Sequence, residues 1–335
     1  MAGNRMGTQT IVFPRQPRLI AMHSIVGPVE GRGPMAEYFH EILPDDMLEQ
    51  TTPEKAEKLI LEMAIEKALN QKNLTKEHIQ YYIAGDLLNQ IISATFSARS
   101  LNVPYIGIYG ACSSFAEGVG LAAVLLEGGF ALKVLVGTSS HYQTAERQYR
   151  YPIELNVQHK VTSQHTVTGA GAVVISIDGE GPKVTHATFG KIVDMGVKDP
   201  NDMGSAMAPA AFDTISRHLE DTGRTIDYYD LVLTGDLGLQ GLKMLRILAE
   251  RNNTPFGERV QDGGVLIYNQ HQGVGAGGSG CACSAVITLG YVNTKMYLGE
   301  LHKVLIVGTG ALLNSLTALQ GESIPCIAHA IALET

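Results

Sequence analysis

Gly110-Ala111-Cys112-Ser113-Ser114 runs through a helical stretch into Lys133-Val134-Leu135-Val136-Gly137-Thr138. In the second half, Gly280-Cys281-Ala282-Cys283-Ser284 runs through a similar stretch into Lys303-Val304-Leu305-Ile306-Val307-Gly308-Thr309. Cys112 and Cys283 lie 283 − 112 = 171 positions apart, and so do Gly137 and Gly308 (308 − 137). Upstream, Gly85-Asp86-Leu87-Leu88-Asn89-Gln90 is echoed by Gly235-Asp236-Leu237-Gly238-Leu239-Gln240 at a shift of 235 − 85 = 150. Matches in the same order predict one ancestral unit used twice.

The 335 residues are 45% apolar and 17% charged, the balance of a globular protein with a large core. A formal charge of −8 repels phosphate backbones, so nucleic acid is not expected as a partner. Four cysteines make no disulfide framework, and Cys281 and Cys283 lack the second pair that a zinc site needs. The first apolar run, Thr10 to Phe13, is too short for a signal peptide, and no run reaches the roughly 18 residues of a spanning helix. The chain reads as soluble.

Strands are expected at Arg18–Val26, Ile79–Ala84, Tyr105–Tyr109, Val134–Val136 and Val173–Ile177, and in the second half at Val184–Val193, Leu231–Leu233, Val304–Val307 and Cys326–Leu333. Thr52 as N-cap and Pro53 at the first helical position open a helix to Asn70. Another begins near Cys112 and stops at Gly128-Gly129, and a third spans Ala206–Leu219. Asp178-Gly179-Glu180-Gly181-Pro182 is the expected boundary between halves, residues 1–178 and 183–335. The polar and aromatic stretch from Ser139 to Gln164, with His141, Tyr142, Arg147, Tyr149, Arg150 and Tyr151, reads as an excursion that carries function.

A cysteine after a buried strand, at the first turn of a helix, is placed where free N–H groups and the helix dipole favour a thiolate. Cys112 fits that placement; it equally fits a small buried hydrophobe filling a tight turn.

Gly110-Ala111-Cys112-Ser113-Ser114 within duplicated halves resembles the thiolase and ketoacyl synthase superfamily, where this cysteine accepts the acyl group. Gly169-Ala170-Gly171-Ala172 and Gly277-Gly278-Ser279-Gly280 are similar to glycine-rich stretches of the same superfamily. The resemblance covers essentially the whole chain. It implies an α/β thiolase-like fold, two pseudo-symmetric halves in an α-β-α-β-α arrangement of five layers, and a homodimer. It also exposes departures. The thiolase histidine is replaced by Val274, its second cysteine falls near Ile306, the synthase histidine falls near Thr234 or Gly235, and the synthase asparagine is missing from Gly275-Ala276-Gly277. Condensation needs a base or oxyanion donor beside the nucleophile, so loss of the parent activity is expected.

Gly27-Pro28-Val29-Glu30-Gly31-Arg32-Gly33-Pro34, Ile108 to Ser114, and His271 to Gly278 resemble the stage V sporulation protein AD family of spore-forming bacteria. That resemblance implies binding of dipicolinic acid, transport of it in sporulation and germination with membrane-embedded partners, and a cytoplasmic or peripheral place at the spore inner membrane. A rigid aromatic dianion needs donors or cations at both carboxylates and an apolar surface for its ring. The candidates are Cys112, Ser113 and Ser114 at the helix start, Asn89 after the first Gly-Asp-Leu motif, and His141 and Arg147 in the excursion. Calcium often accompanies dipicolinate, but no loop has calcium-ligand spacing. Two other readings stay open: an acyl-transfer enzyme using Cys112 with His141 or His271 as base, and a structural subunit with a vestigial pocket. Glu30 and Arg32 could face either a partner or a pocket.

Overall fold

The computed structural model describes residues 3–150 and 159–335; Tyr151 and the rest of the excursion to residue 158 lie outside the described residues. The first half contributes strands β1 (Arg18–Val26), β2 (Tyr81–Gly85), β3 (Tyr105–Gly107), β4 (Lys133–Ser140) and β5 (Gly169–Ser176). The second contributes β6 (Lys183–Phe189), β7 (Leu231–Thr234), β8 (Val260–Asp262), β9 (Lys303–Ala311) and β10 (Cys326–Glu334). The order across the first is β1-β5-β4-β2-β3, and across the second β6-β10-β9-β7-β8. In each, three strands run parallel and the long fifth strand (β5 or β10) pairs antiparallel on both sides. The two sheets meet edge to edge through Arg18 and Lys183.

Helices α1 (Pro53–Asn70) and α2 (Ile92–Leu101) cover the outer face of the first sheet, and α4 (Met203–Thr222) and α5 (Gly238–Arg251) that of the second. Between the sheets lie α3 (Ser114–Glu127) and α6 (Cys281–Ile287). Strand alternation explains the layering. Val134, Val136, Val173 and Ile175 point to the central layer while Leu135, Ala172 and Val174 meet α1. The helix α1 starts where the Thr52 hydroxyl accepts the Lys55 N–H ahead of Pro53, and buries Ile60, Leu61, Ala64 and Ala68.

The repeat is real in the strands but its register differs from the glycine alignment. Tyr81 pairs with Val134 and Leu231 with Val304, so the strands correspond at shifts of 150 (231 − 81) and 170 (304 − 134), not 171. The second strand has one extra residue before its Gly-Thr, and one residue reverses the face. Gly137 therefore sits against Leu61 and Tyr82, whereas Gly308 looks into the central layer against Ser113 and Ala116. Gly310 shares that face. A Cβ there would lie 2.2 Å from the Gly110 carbonyl, so only glycine lets β9 press against the turn that presents Cys112. Val184–Val193, expected as one strand, stops at Phe189.

Gly310→Ala should displace that turn and cost about 1–3 kcal/mol in chemical denaturation. A variant as stable as the parent would show that the contact does not constrain the fold.

Candidate functional site

The C-terminal ends of the parallel strands deliver the site. After β3 the chain turns sharply at Ala111, whose φ of +48° is unusual for a side-chain-bearing residue, and Cys112 follows in a 3-10 turn, with α3 starting at Ser114. Its counterpart is Cys281. That residue follows Gly280 (φ +106°), opens α6, and donates its thiol to the Ala111 carbonyl at 3.3 Å. The echo of Cys112 read from the sequence as Cys283 is corrected here: Cys283 turns to the Gly235 carbonyl, at 3.4 Å. Two inward-facing turns meet across the central layer, one from each half.

The group beside Cys112 is a carboxyl. Asp236 accepts from the Gly280 N–H at 2.8 Å and from the Thr309 hydroxyl at 2.8 Å, and it acts on the Cys112 thiol. The loop that carries it is tied down by Asp262, which accepts the N–H groups of Leu237 (2.7 Å), Gly238 (2.8 Å) and Val265 (3.0 Å). Burial pushes Asp236 up to about 7 against the opposing pull of its donors. Burial also pushes the Cys112 thiol well above 9.0, and Asp236 and Cys281 act in the same direction; the Gly280 N–H opposes them. Helix placement alone favours a thiolate at Cys112. Desolvation and the facing acid override it. The arrangement is reciprocal, since burial and then the nearby Asp86 and Glu57 raise Cys281. Asp86 accepts the Leu88 and Ala94 N–H groups (2.7 and 2.8 Å) and is lifted by burial to about 6. Glu57 takes the Ser139 and Thr144 hydroxyls (3.0 and 2.9 Å) and is lifted by burial and by Asp86 to about 8.

Above Cys112 lies a small cavity of about 20 Å³, lined by Leu87, Tyr109, Tyr149, Thr166, Met203 and Ser279 among others. That is room for about one water, whereas small-molecule pockets run to about 300–1,000 Å³. Tyr109 and Tyr149 close the rim through a phenol–phenol hydrogen bond of 3.0 Å, and Gln148 donates to the Tyr149 oxygen at 3.1 Å.

Of the residues chosen from the sequence, only Cys112 lines this cavity. The hydroxyls of Ser113 and Ser114 turn back to the carbonyls of Gly110 and Ala111 (2.6 and 2.7 Å), so both are structural caps of the turn. Asn89 is exposed and accepts from the Gln148 side chain at 3.2 Å, which places it behind the rim. His141 is fully buried, its Nε2 on the Asp46 carbonyl (2.9 Å) and its Nδ1 accepting the Gln143 N–H. Arg147 points outward to Glu54 at 2.9 Å. Neither His141 nor His271 is set beside Cys112 as a base; His271 lies in a turn capped by Asn269. Val274, Thr234 and Ile306 are buried, at the positions expected to have lost their catalytic groups. Glu30, undecided from sequence, is buried and receives the Tyr268 hydroxyl and, at 3.0 Å, the Thr168 N–H, so it ties the two halves together. Sequence reasoning missed Asp236 and Tyr109, and named Tyr149 only as one residue of the excursion. Asp236 was visible in the second Gly-Asp-Leu motif, one residue past the expected histidine.

Residues 7–334 match the family model for stage V sporulation protein AD. The chain belongs to that family. It is 45% identical over 328 residues to the stage V sporulation protein AD of Bacillus subtilis (strain 168), covering 98% of this chain and 97% of that protein. Among solved structures, 3-oxoacyl-[acyl-carrier-protein] synthase III from Aquifex aeolicus VF5 is similar in fold, with a TM-score of 0.59 and 16% identity over 95% of this chain and 100% of that one. An OleA from Xanthomonas campestris gives 0.59 and 14% over 97% and 99%. The fold is thus thiolase-like. Among the described residues, no helix is long and apolar enough to cross a membrane, and no group of three or more histidine, cysteine or acidic side chains could hold a metal ion.

The buried acids and imidazoles set opposite pH trends. His186, His218 and His329 are pushed down by burial, to about 4, 3 and 4, so their contribution is complete above 6.5 and lost only in acid. Glu57 and Asp236 keep a proton that the unfolded chain has already released, so the fold loses stability as pH rises through about 7 and 8. The melting temperature should therefore fall between about pH 6.5 and about pH 8.5. A melting temperature that does not fall over that range would show that these carboxyls hold no extra proton in the fold.

Proposed function

We propose that this protein is a non-enzymatic, thiolase-like member of the sporulation machinery that binds dipicolinic acid and passes it to membrane-embedded partners. The observation that carries the loss of enzymatic function is the acid beside the thiol. A condensing cysteine must become a thiolate and hand its proton to a base. Cys112 instead lies near a buried acid, Asp236, that disfavours the thiolate. What survives is a pocket with an apolar lining and a few polar groups, the general form of a small-molecule site.

Support for the ligand comes from family membership and from the chemistry of the lining. Phenols from Tyr109 and Tyr149 and hydroxyls from Thr166 and Ser279 can meet carboxylate oxygens, while Leu87, Met203 and Leu313 offer a surface to a flat ring. The present cavity is too small for that ring, so binding requires the Tyr109–Tyr149 rim to part. Hand-over to a partner follows from the family resemblance, and the lack of a spanning helix among the described residues leaves the membrane step to another chain.

Calorimetry with sodium dipicolinate should show saturable binding, weakened roughly tenfold or more by Tyr149→Ala, which removes a phenol and part of the ring contact. Intact mass after incubation with an acyl-coenzyme A should show no adduct on Cys112. Absence of binding at millimolar ligand, or a Cys112 acyl adduct that turns over, would reject the reading.

A further inference from the structure

The side-chain amide of Gln148 has an orientation that the backbone fixes. Its Oε1 accepts the Asn89 N–H at 3.2 Å, and its Nε2 donates to the Leu87 carbonyl at 3.1 Å and to the Asn89 side-chain oxygen at 3.2 Å. A main-chain N–H can only donate and a main-chain carbonyl can only accept, so the two ends of the amide cannot be exchanged. The loop that presents these groups is itself pinned. Asp86 receives the Leu88 and Ala94 N–H groups on either side of Gln90 and Ile91. Both of those residues lie in the left-handed region (φ +56° and +45°), a costly conformation for a β-branched isoleucine.

The Gln148 Nε2 also faces the Tyr149 phenol, at 3.1 Å. An amide nitrogen has no lone pair to offer, so the phenol oxygen accepts and its own proton points elsewhere. The Tyr149 oxygen lies 3.0 Å from that of Tyr109, so one phenol donates to the other. Whichever does, the remaining phenolic proton finds no protein acceptor among the described residues. The closed rim thus holds one donor more than it can use, and parting it frees a second. Both phenols line the cavity over Cys112, and the described residues of that lining include no lysine, arginine or histidine. An anion there must be met by neutral donors, because a carboxylate can only accept.

We propose that Gln148 is a positioning residue that sets the polarity of the rim: by donating to Tyr149 it leaves both phenolic protons for the carboxylate oxygens of the ligand. The inference rests on the ligand reading above and deepens it to specificity. The parted rim selects a molecule whose facing atoms are acceptors, and a rigid dicarboxylate satisfies both phenols. An acceptor in place of the amide nitrogen would draw the Tyr149 proton away from the pocket.

The test is calorimetry of the full chain with sodium dipicolinate at one pH, arranged as a double-mutant cycle. Tyr149→Phe should weaken binding roughly tenfold, as loss of a hydrogen bond to a charged group does. Gln148→Met, which keeps the side-chain length but not the donor, should weaken it roughly fivefold. On the Tyr149→Phe background Gln148→Met should cost nothing further, because Gln148 acts through that phenol. A side chain that merely braces the loop would cost the same on both backgrounds. A Gln148→Met penalty that persists in full beside Tyr149→Phe, or no penalty in the native chain, overturns the inference and leaves dipicolinate as the ligand. If Gln148→Met does not fold, Tyr109→Phe and Tyr149→Phe still decide: unchanged affinity in either overturns it. A wild-type chain that binds no dipicolinate overturns the ligand reading and the inference together.

Discussion

The buried Asp236 carboxyl organises this end of the molecule. It ties the second half's Gly-Asp-Leu loop to the Gly280 turn and, through Thr309, to the end of β9. Burial keeps both protonated: it disfavours the carboxylate of Asp236, and together with that acid it disfavours the thiolate of Cys112. A scaffold whose relatives in fold include a 3-oxoacyl synthase thus carries a cysteine whose thiolate is disfavoured.

The duplicated architecture makes this possible. Two inward-facing turns, at Ala111 and Gly280, meet across the central layer, each followed by a cysteine, and Cys281 reaches into the other half. Each is also overlooked by an acid from the opposite half, Asp236 for Cys112 and Asp86 for Cys281. The halves are not equivalent: Asp86 spends both oxygens on N–H groups of its own loop and of α2, whereas Asp236 holds the Gly280 turn and the Thr309 hydroxyl.

Much of the fold was legible because its signals are local. Thr52-Pro53 and the apolar spacing to Leu69 define α1 within one helix, and the runs at Val134 and Val304 can only be buried strands. The register of the repeat was not legible from glycines. The extra residue in β9 turns Gly308 to the opposite face, and only the ladder with β7 shows it. The site was legible at one residue. Cys112 is announced by its motif, but His141, Arg147 and Asn89 are polar residues in a polar stretch, and their directions depend on Asp46, Glu54 and Gln148, which come from elsewhere in the chain. Asp236 escaped notice because an acid facing a thiol needs contacts more than 120 residues apart (236 − 112 = 124).

The most direct measurement is the pH dependence of Cys112 alkylation by iodoacetamide, followed by peptide mass spectrometry in the native protein and in Asp236→Asn. The account predicts negligible modification of the native protein through pH 9.0, above which its thiol titrates, and faster modification once the acid is removed. A native Cys112 that alkylates with an inflection near neutral pH would show a thiolate poised for chemistry and would contradict it.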